Sequence, residues 1–251
     1  ADTSSLQALI SGGAVADEAT IALCQKAFAC NFINLYGSAD GVNCHNMPDD
    51  KPETIFHTVG RPMPSVCTIK IINEAGNELA PGQIGEIIAR GPISPMQYVN
   101  APELDRRYRN TDGWVYTGDL GSINEQGFLV LSGRKKDIII RAGINISPAQ
   151  IEQLATRHHD VVGAACVPIA DSDVGHRICI CLMLQKGAER LSLSSLSAFL
   201  IAQGLEVSKL PEYLRFCSQL PLNPAGKVDK KKLSQDLQLL NHSPVEQRQA
   251  S

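Results

Sequence analysis

No run of eighteen consecutive apolar residues occurs in this 251-residue chain, so no membrane-spanning helix is expected. None of the eight cysteines, at positions 24, 30, 44, 67, 166, 179, 181 and 217, forms a C-x-x-C pair. Several stand inside apolar runs such as Arg177–Leu184, where a free thiol behaves as a small hydrophobe. That usage points to a reducing, cytoplasmic compartment. Cys179 and Cys181, two apart on an expected strand, share a face, and core packing is the preferred reading over a metal site there. There is no excess of positive charge: 23 Lys and Arg stand against 26 Asp and Glu, which argues against a general nucleic-acid binder. The opening ADTSSLQALISGG lacks the basic segment of a secretory signal. It also lacks an initiator Met, so the chain is read as a processed or excised piece. Internal repeats and low-complexity segments are absent as well.

What is present is ordinary globular material. A hydrophobic content of 43% with 20% charged residues suits a buried core, and the length suits one large or two ordinary domains. Charge is split unevenly, with 11 basic and 15 acidic residues over 1–136 against 12 and 11 over 137–251. The pattern changes along the chain too. Residues 6–33 read as a turn at Ser11–Gly13 and then a helix over 17–29, from the spacing of Ile21, Leu23, Cys24, Ala27 and Phe28. A short apolar strand leads into Tyr36. From 65 to 133, short β-branched runs alternate with Gly, Asn and Pro turns, the signature of a small barrel or open sheet. After Asp137 the order becomes βαββαβα, a compact α+β domain. Within it Ser147 and Pro148 open a helix, Ser147 as its cap. The polar tail from Asn241 is expected to fray.

Four stretches carry chemistry. Asn34-Leu-Tyr-Gly-Ser-Ala-Asp40 delivers a ring able to stack on a flat base, and a carboxylate of the hard-oxygen type that magnesium takes; a strand end with a polar turn is the plain alternative. Tyr116-Thr-Gly-Asp-Leu-Gly121 offers Asp119 either as acceptor for a ribose diol or as a turn residue. Leu131–Pro148 sets Arg134, Lys135, Lys136 and Asp137 between two apolar runs, either as a solvated cluster or with Arg134 reaching a ribose or phosphate. Pro221–Asp229 fixes a loop with two prolines and a glycine and points Lys227 outward, whereas Lys230–Lys232 read as a solvated face. His45, His57, His158 and His159 match no metal-site spacing.

In order and spacing these motifs resemble the adenylate-forming superfamily of acyl-CoA synthetases, aryl-acid AMP ligases, luciferases and peptide-synthetase adenylation domains. Ser11–Ala14 resembles its glycine-rich motif, Tyr36–Asp40 its Tyr-Gly-x-Thr-Glu, Gly85–Pro92 the motif after it, and Tyr116–Gly121 its Tyr-x-Thr-Gly-Asp. Gly133–Pro148 resembles the family's hinge and following loop, and Asn223–Asp229 its C-terminal lysine motif. The resemblance implies an α/β and α+β fold: the end of a large N-terminal α/β domain over 1–136, with a small β-barrel-like subdomain at 60–133, and then a mobile α+β domain over 137–251.

It also implies function. A small carboxylic acid would attack ATP, with Mg²⁺, to give acyl-AMP and pyrophosphate; coenzyme A, or carrier-protein phosphopantetheine, would then displace AMP. Gly12, Gly13, Ala14, Tyr36, Gly37, Ser38, Ala39, Asp119 and Arg134 would line the nucleotide site, with Tyr36 on adenine and Asp119 and Arg134 on ribose. Asp40 would be the metal ligand, Lys227 the catalytic cation, Lys136 the hinge, and Gly143 would give pantetheine room. Three departures stand out. Ala39 replaces a Thr whose hydroxyl would touch phosphate, and Asp40 is one methylene shorter than the family's Glu. The family's Ser/Thr/Gly-rich phosphate loop has no counterpart in 1–35. The chain is therefore expected to partner a missing N-terminal part and not to adenylate an acid alone. A carrier-loading aryl-acid ligase and a non-catalytic nucleotide-binding remnant are the alternatives.

Overall fold

The computed structural model describes residues 2–13, 16, 18–224, 226–239 and 246–247. The chain divides into two compact units, Ala1–Lys136 and Asp137–Ser251.

The first unit holds two four-stranded sheets. One contains β1 (Ala8–Gly12), β2 (Asn31–Ser38), β3 (Val42–His45) and β4 (Arg61–Pro62) in that order. Helix α1 (Glu18–Phe28) joins β1 to β2, which are parallel, as a helical crossover allows. Ser11 and Gly12, expected in a turn, are instead the end of β1, because pairing with β2 satisfies their backbone. The short α2 (Pro52–His57) follows β3 and packs Ile55 against Ile21 and Phe32.

The second sheet contains β5 (Thr68–Ile72), β6 (Gly85–Arg90), β7 (Val115–Ile123) and β8 (Leu129–Arg134), all antiparallel neighbours. It is open, the second of the two forms expected, and does not close into a barrel. Among the described residues β8 does not close onto β5; Val59 and Gly60 instead exchange backbone hydrogen bonds with Leu129, at 3.0 and 2.8 Å. Helix α3 (Pro102–Tyr108) precedes β7. Val42 and Cys44 of the first sheet share one apolar cluster with Ile69, Ile71, Ile87, Ala89 and Leu129 of the second. This cluster fixes the two sheets to each other.

The second unit begins with the hairpin β9 (Ile139–Arg141) and β10 (Ile144–Ile146), followed by α4 (Pro148–Ala155). Ser147 takes the N-cap position, with Pro148 in the first turn, but its side chain accepts no capping hydrogen bond. The long pair β11 (Val161–Asp171) and β12 (Gly175–Leu184) is extended by β13 (Tyr213–Phe216), parallel to β12, and by β14 (Glu246–Gln247). The rest of the tail from Asn241 lies outside the described residues. Both faces of β12 are covered. Ile178, Ile180 and Leu182 pack with residues of α4 and α5 (Leu193–Ala202), while Cys179 and Cys181 pack with Leu220 and with Leu233 of α6 (Lys230–Leu239). A strand buried on both faces reads as an unbroken apolar run, which is how Arg177–Leu184 reads. No described helix is long and apolar enough to cross a membrane.

Candidate functional site

Strand register brings the glycine motif beside the tyrosine motif. Gly12 lies opposite Leu35, where an added Cβ would come within 3.1 Å of the Leu35 carbonyl oxygen. Gly13 follows, and Ala14 lies outside the described residues. Strands β2 and β3 form a hairpin in which Gly37 faces Asn43 and Ser38 faces Val42. Ala39, Asp40 and Gly41 are its three-residue loop, closed by Gly41 in the left-handed region at φ 110°. The Ser38 hydroxyl accepts the Asp40 N–H at 3.2 Å, and Ala39 is exposed at the tip.

The segment after β6 packs on this loop: an added Cβ on Gly41 would stand 2.6 Å from Ser94 Cα. It delivers a residue that the sequence reading missed. The Tyr98 hydroxyl donates to Asp40 Oδ1 at 2.6 Å, while its backbone N–H donates to Asp105 Oδ1 at 3.0 Å. The hydrogen bond to Asp40, with some desolvation, pushes the Tyr98 phenol up to about 12. No motif flags a tyrosine 58 positions from its partner; only folding joins them.

The centre of the site is Asp119, on β7, with 9% of its surface exposed. Its Oδ2 accepts the Tyr36 hydroxyl at 2.8 Å, and its Oδ1 pairs with Arg134 Nε at 2.9 Å. Asp119 and Arg134 are register partners of β7 and β8. Thr117, also missed, holds the approach: its hydroxyl donates to the Ile87 carbonyl at 2.7 Å and accepts the Asp119 N–H at 3.1 Å. Burial, and then the Asp119 charge, drive the Tyr36 phenol far above its ordinary value, so it stays a neutral donor. The Tyr36 ring packs against the cluster shared by the two sheets. Tyr36, Asp119 and Arg134 are thus one constellation drawn from three strands of two sheets.

Beyond Arg134, Lys135 pairs with Glu86 at 2.7 Å, a hydrogen bond that raises the lysine's pKa. Lys136, exposed and in no ion pair among the described residues, is the last residue of the first unit, within a 3-10 turn over Lys135–Asp137. In the second unit Ala142 and Gly143 are the two-residue tip between β9 and β10, both left-handed at φ 48° and 80°. That is the geometry of the mirror-image turn preferred in tight hairpins. An added Cβ on Gly143 meets nothing within 4 Å, so within this unit glycine serves the turn conformation.

Lys227 stands exposed on a tight turn. The Asn223 N–H donates to the Lys227 carbonyl at 2.7 Å, and the Lys227 N–H donates to Asn223 Oδ1 at 3.1 Å. Of the three lysines read as a solvated face, Lys230 is half-buried and pairs with Glu152 at 2.7 Å, which ties the start of α6 to α4. His158, His159 and Asp160 bring ligand atoms within 4.8 Å of one another. The two imidazoles, however, are stacked at 20° between planes, so their in-plane lone pairs do not converge, and His158 Nδ1 accepts the Asp160 N–H at 3.3 Å.

Two family models match the chain: that of the AMP-binding enzymes over residues 1–99 and that of the AMP-binding enzyme C-terminal domain over 150–227. The chain belongs to the adenylate-forming superfamily. A Streptomyces salicylyl-CoA synthase / salicylate adenylyltransferase is 38% identical over 79% of this chain and 36% of its own length. The pyochelin synthase PchD of Pseudomonas aeruginosa is 33% identical over 94% of this chain and 43% of its own. Among solved structures, the amide bond synthetase McbA from Marinactinospora thermotolerans superposes with a TM-score of 0.85 at 32% identity, covering 93% of this chain and 48% of that one. The chain therefore spans less than half the length of these adenylate-forming relatives.

For the Mg²⁺ that the superfamily implies, Asp40 is the fitting donor. It is a half-exposed carboxylate whose Oδ1 is held by Tyr98, with Oδ2 turned to no side chain among the described hydrogen bonds. One carboxylate plus substrate phosphates is a usual magnesium environment.

Proposed function

We propose that the chain supplies the sugar-and-base site and the mobile C-terminal unit of an ATP-dependent acid–thiol ligase. The carrying observation is the Tyr36–Asp119–Arg134 constellation, in which a ring, a fixed carboxylate and a guanidinium stand together within the first unit. In this reading the Tyr36 ring stacks on adenine, and Asp119 and Arg134 engage the ribose. Gly12, Gly13, Ala14, Gly37, Ser38 and Ala39 border the nucleotide with small groups. Asp40 would hold Mg²⁺, which, when bound, offsets phosphate charge. Lys227 brings a positive charge to the carboxylate and α-phosphate as they react; phosphoryl chemistry of this kind is accelerated by placement and charge. A pantetheine thiol then displaces AMP, with the Arg141–Asn145 hairpin and Gly143 on the thiol side. Coenzyme A is the proposed carrier of that thiol, and a carrier protein presents the same chemistry, so a thiol-acceptor assay separates them.

The nucleotide assignment is tested on the chain itself. AMP is expected to bind, and Asp119→Asn is expected to weaken it about tenfold or more, the cost of losing a charged acceptor. Calorimetric titration reads both. Equal affinities would remove Asp119 from the ribose site.

The hinge assignment needs both half-reactions, followed in a ligase that carries this chain. Lys136→Pro fixes φ at one residue. Hinges take up domain rotation in a few residues, so one half-reaction is expected to stop while the other continues. Survival of both steps would place the pivot elsewhere.

A further inference from the structure

The resemblance gives Tyr36 a ring to stack on adenine; the structure gives its hydroxyl separate work. We propose that the Tyr36 hydroxyl is a specificity-determining group that presets Asp119 for the two adjacent hydroxyls of a ribose, so that the site selects ribonucleotides over deoxyribonucleotides. This rests on the nucleotide reading above.

The argument is one of acceptor geometry. An ionised carboxylate offers about four acceptor positions, two on each oxygen. In Asp119 one position on Oδ2 is taken by the Tyr36 hydroxyl at 2.8 Å and one on Oδ1 by Arg134 Nε at 2.9 Å. Among the described contacts one position therefore remains on each oxygen, matching the two neighbouring hydroxyls of a cis-diol. The two donors approach from different sheets, β2 on one side and β8 on the other, and together fix the rotation of the carboxylate plane. The backbone beneath is held as well, by the Thr117 hydroxyl at 3.1 Å from the Asp119 N–H.

The two donors are unequal in permanence. The Arg134 side chain is about half exposed, at 49%, so water competes for its contact. The Tyr36 hydroxyl reaches Asp119 from a ring packed in the apolar cluster between the sheets. Its phenol stays protonated, so it donates and does not repel the carboxylate. Without this hydroxyl, Arg134 is the one side-chain partner left to Asp119 among the described residues, and its exposed contact alone sets the rotation of the carboxylate plane. A deoxyribonucleotide leaves one acceptor of a buried carboxylate unmatched. Sites built to bond a substrate hydroxyl discriminate strongly against the analogue lacking it for that reason.

The test is calorimetric titration of the intact chain with AMP, 2′-deoxy-AMP and 3′-deoxy-AMP. Wild type is expected to bind AMP more tightly than either deoxynucleotide by about tenfold or more. Tyr36→Phe keeps the ring, so deoxynucleotide affinity should stay within about twofold while AMP affinity falls to that level. Tyr36→Phe/Asp119→Asn should discriminate no less than Asp119→Asn alone, because the hydroxyl acts through Asp119. Four results overturn the proposal: no discrimination by wild type, unchanged discrimination in Tyr36→Phe, equal loss for all three nucleotides, or added loss in the double variant relative to Asp119→Asn. Equal loss would mark Tyr36 as a stacking residue only. If wild type binds none of the three, the nucleotide reading falls and this inference with it. Should Tyr36→Phe lose the wild-type circular dichroism spectrum, the Asp119→Asn single variant decides: retained discrimination there overturns the proposal.

Discussion

Lys227→Ala is expected to lower acyl-adenylate formation by about 10²–10³-fold, the usual cost of removing one placed charge from a reacting phosphoryl or acyl group. Thioester formation from supplied acyl-adenylate should persist, because that step needs no charge at the α-phosphate. The structure makes the substitution clean. The turn around Lys227 is built from backbone bonds and the Asn223 side chain, so alanine removes the ammonium and leaves the turn. Neighbouring Lys230 is tied to Glu152 and does not stand free to replace it. The measurement is ATP–pyrophosphate exchange beside thioester formation, in a ligase that carries this chain. Equal loss in both steps would sink the assignment of Lys227 to adenylation.

Gly60→Ala is expected to cost about 3–4 kcal/mol of stability, from a left-handed conformation and overpacking together. Gly60 sits at φ 77°, and an added Cβ would fall 1.8 Å from the His45 carbonyl oxygen and 2.3 Å from the Asn46 N–H nitrogen. Both obstacles are backbone, so no side chain can swing aside. Gly60 also accepts the Leu129 N–H at 2.8 Å and so lies where the two sheets of the first unit join. Any shift that relieves the clash moves the end of β3 at His45 against β8 at Leu129, and β3 and β8 are the strands paired with those of Tyr36 and Asp119. Urea unfolding followed by circular dichroism reads the stability, and AMP titration reads the site. A loss below about 1 kcal/mol would show that the joint moves freely, against the packing argument.

Much of the local structure was legible because it is local. The spacing of Ile21, Cys24 and Phe28 marks α1, and the β-branched run before Asn73 marks β5. The cysteines of β12 read as apolar because both faces of that strand are covered. One misreading and one choice left open share a cause. Ser11 and Gly12 looked like a turn, since small residues prefer turns, but pairing with β2 made them strand. Between the small barrel and the open sheet that the turns allowed, the structure has the open sheet, with Val59 and Gly60 bonded to Leu129 of β8. In both places a partner distant in sequence decided the outcome.

The same division runs through the site. By itself the sequence determined which groups the chain owns and their family: tyrosine, carboxylates, arginine and lysine in ordered motifs, each within a short stretch whose glycines and prolines set its turn. Only the tertiary structure decided who meets whom. It put the Tyr36 hydroxyl on Asp119 across 83 positions, Tyr98 on Asp40 across 58, and Lys135 on Glu86 across 49. Motif spacing carries no record of such pairings, because strand register and sheet packing, rather than proximity along the chain, set which donor reaches which acceptor.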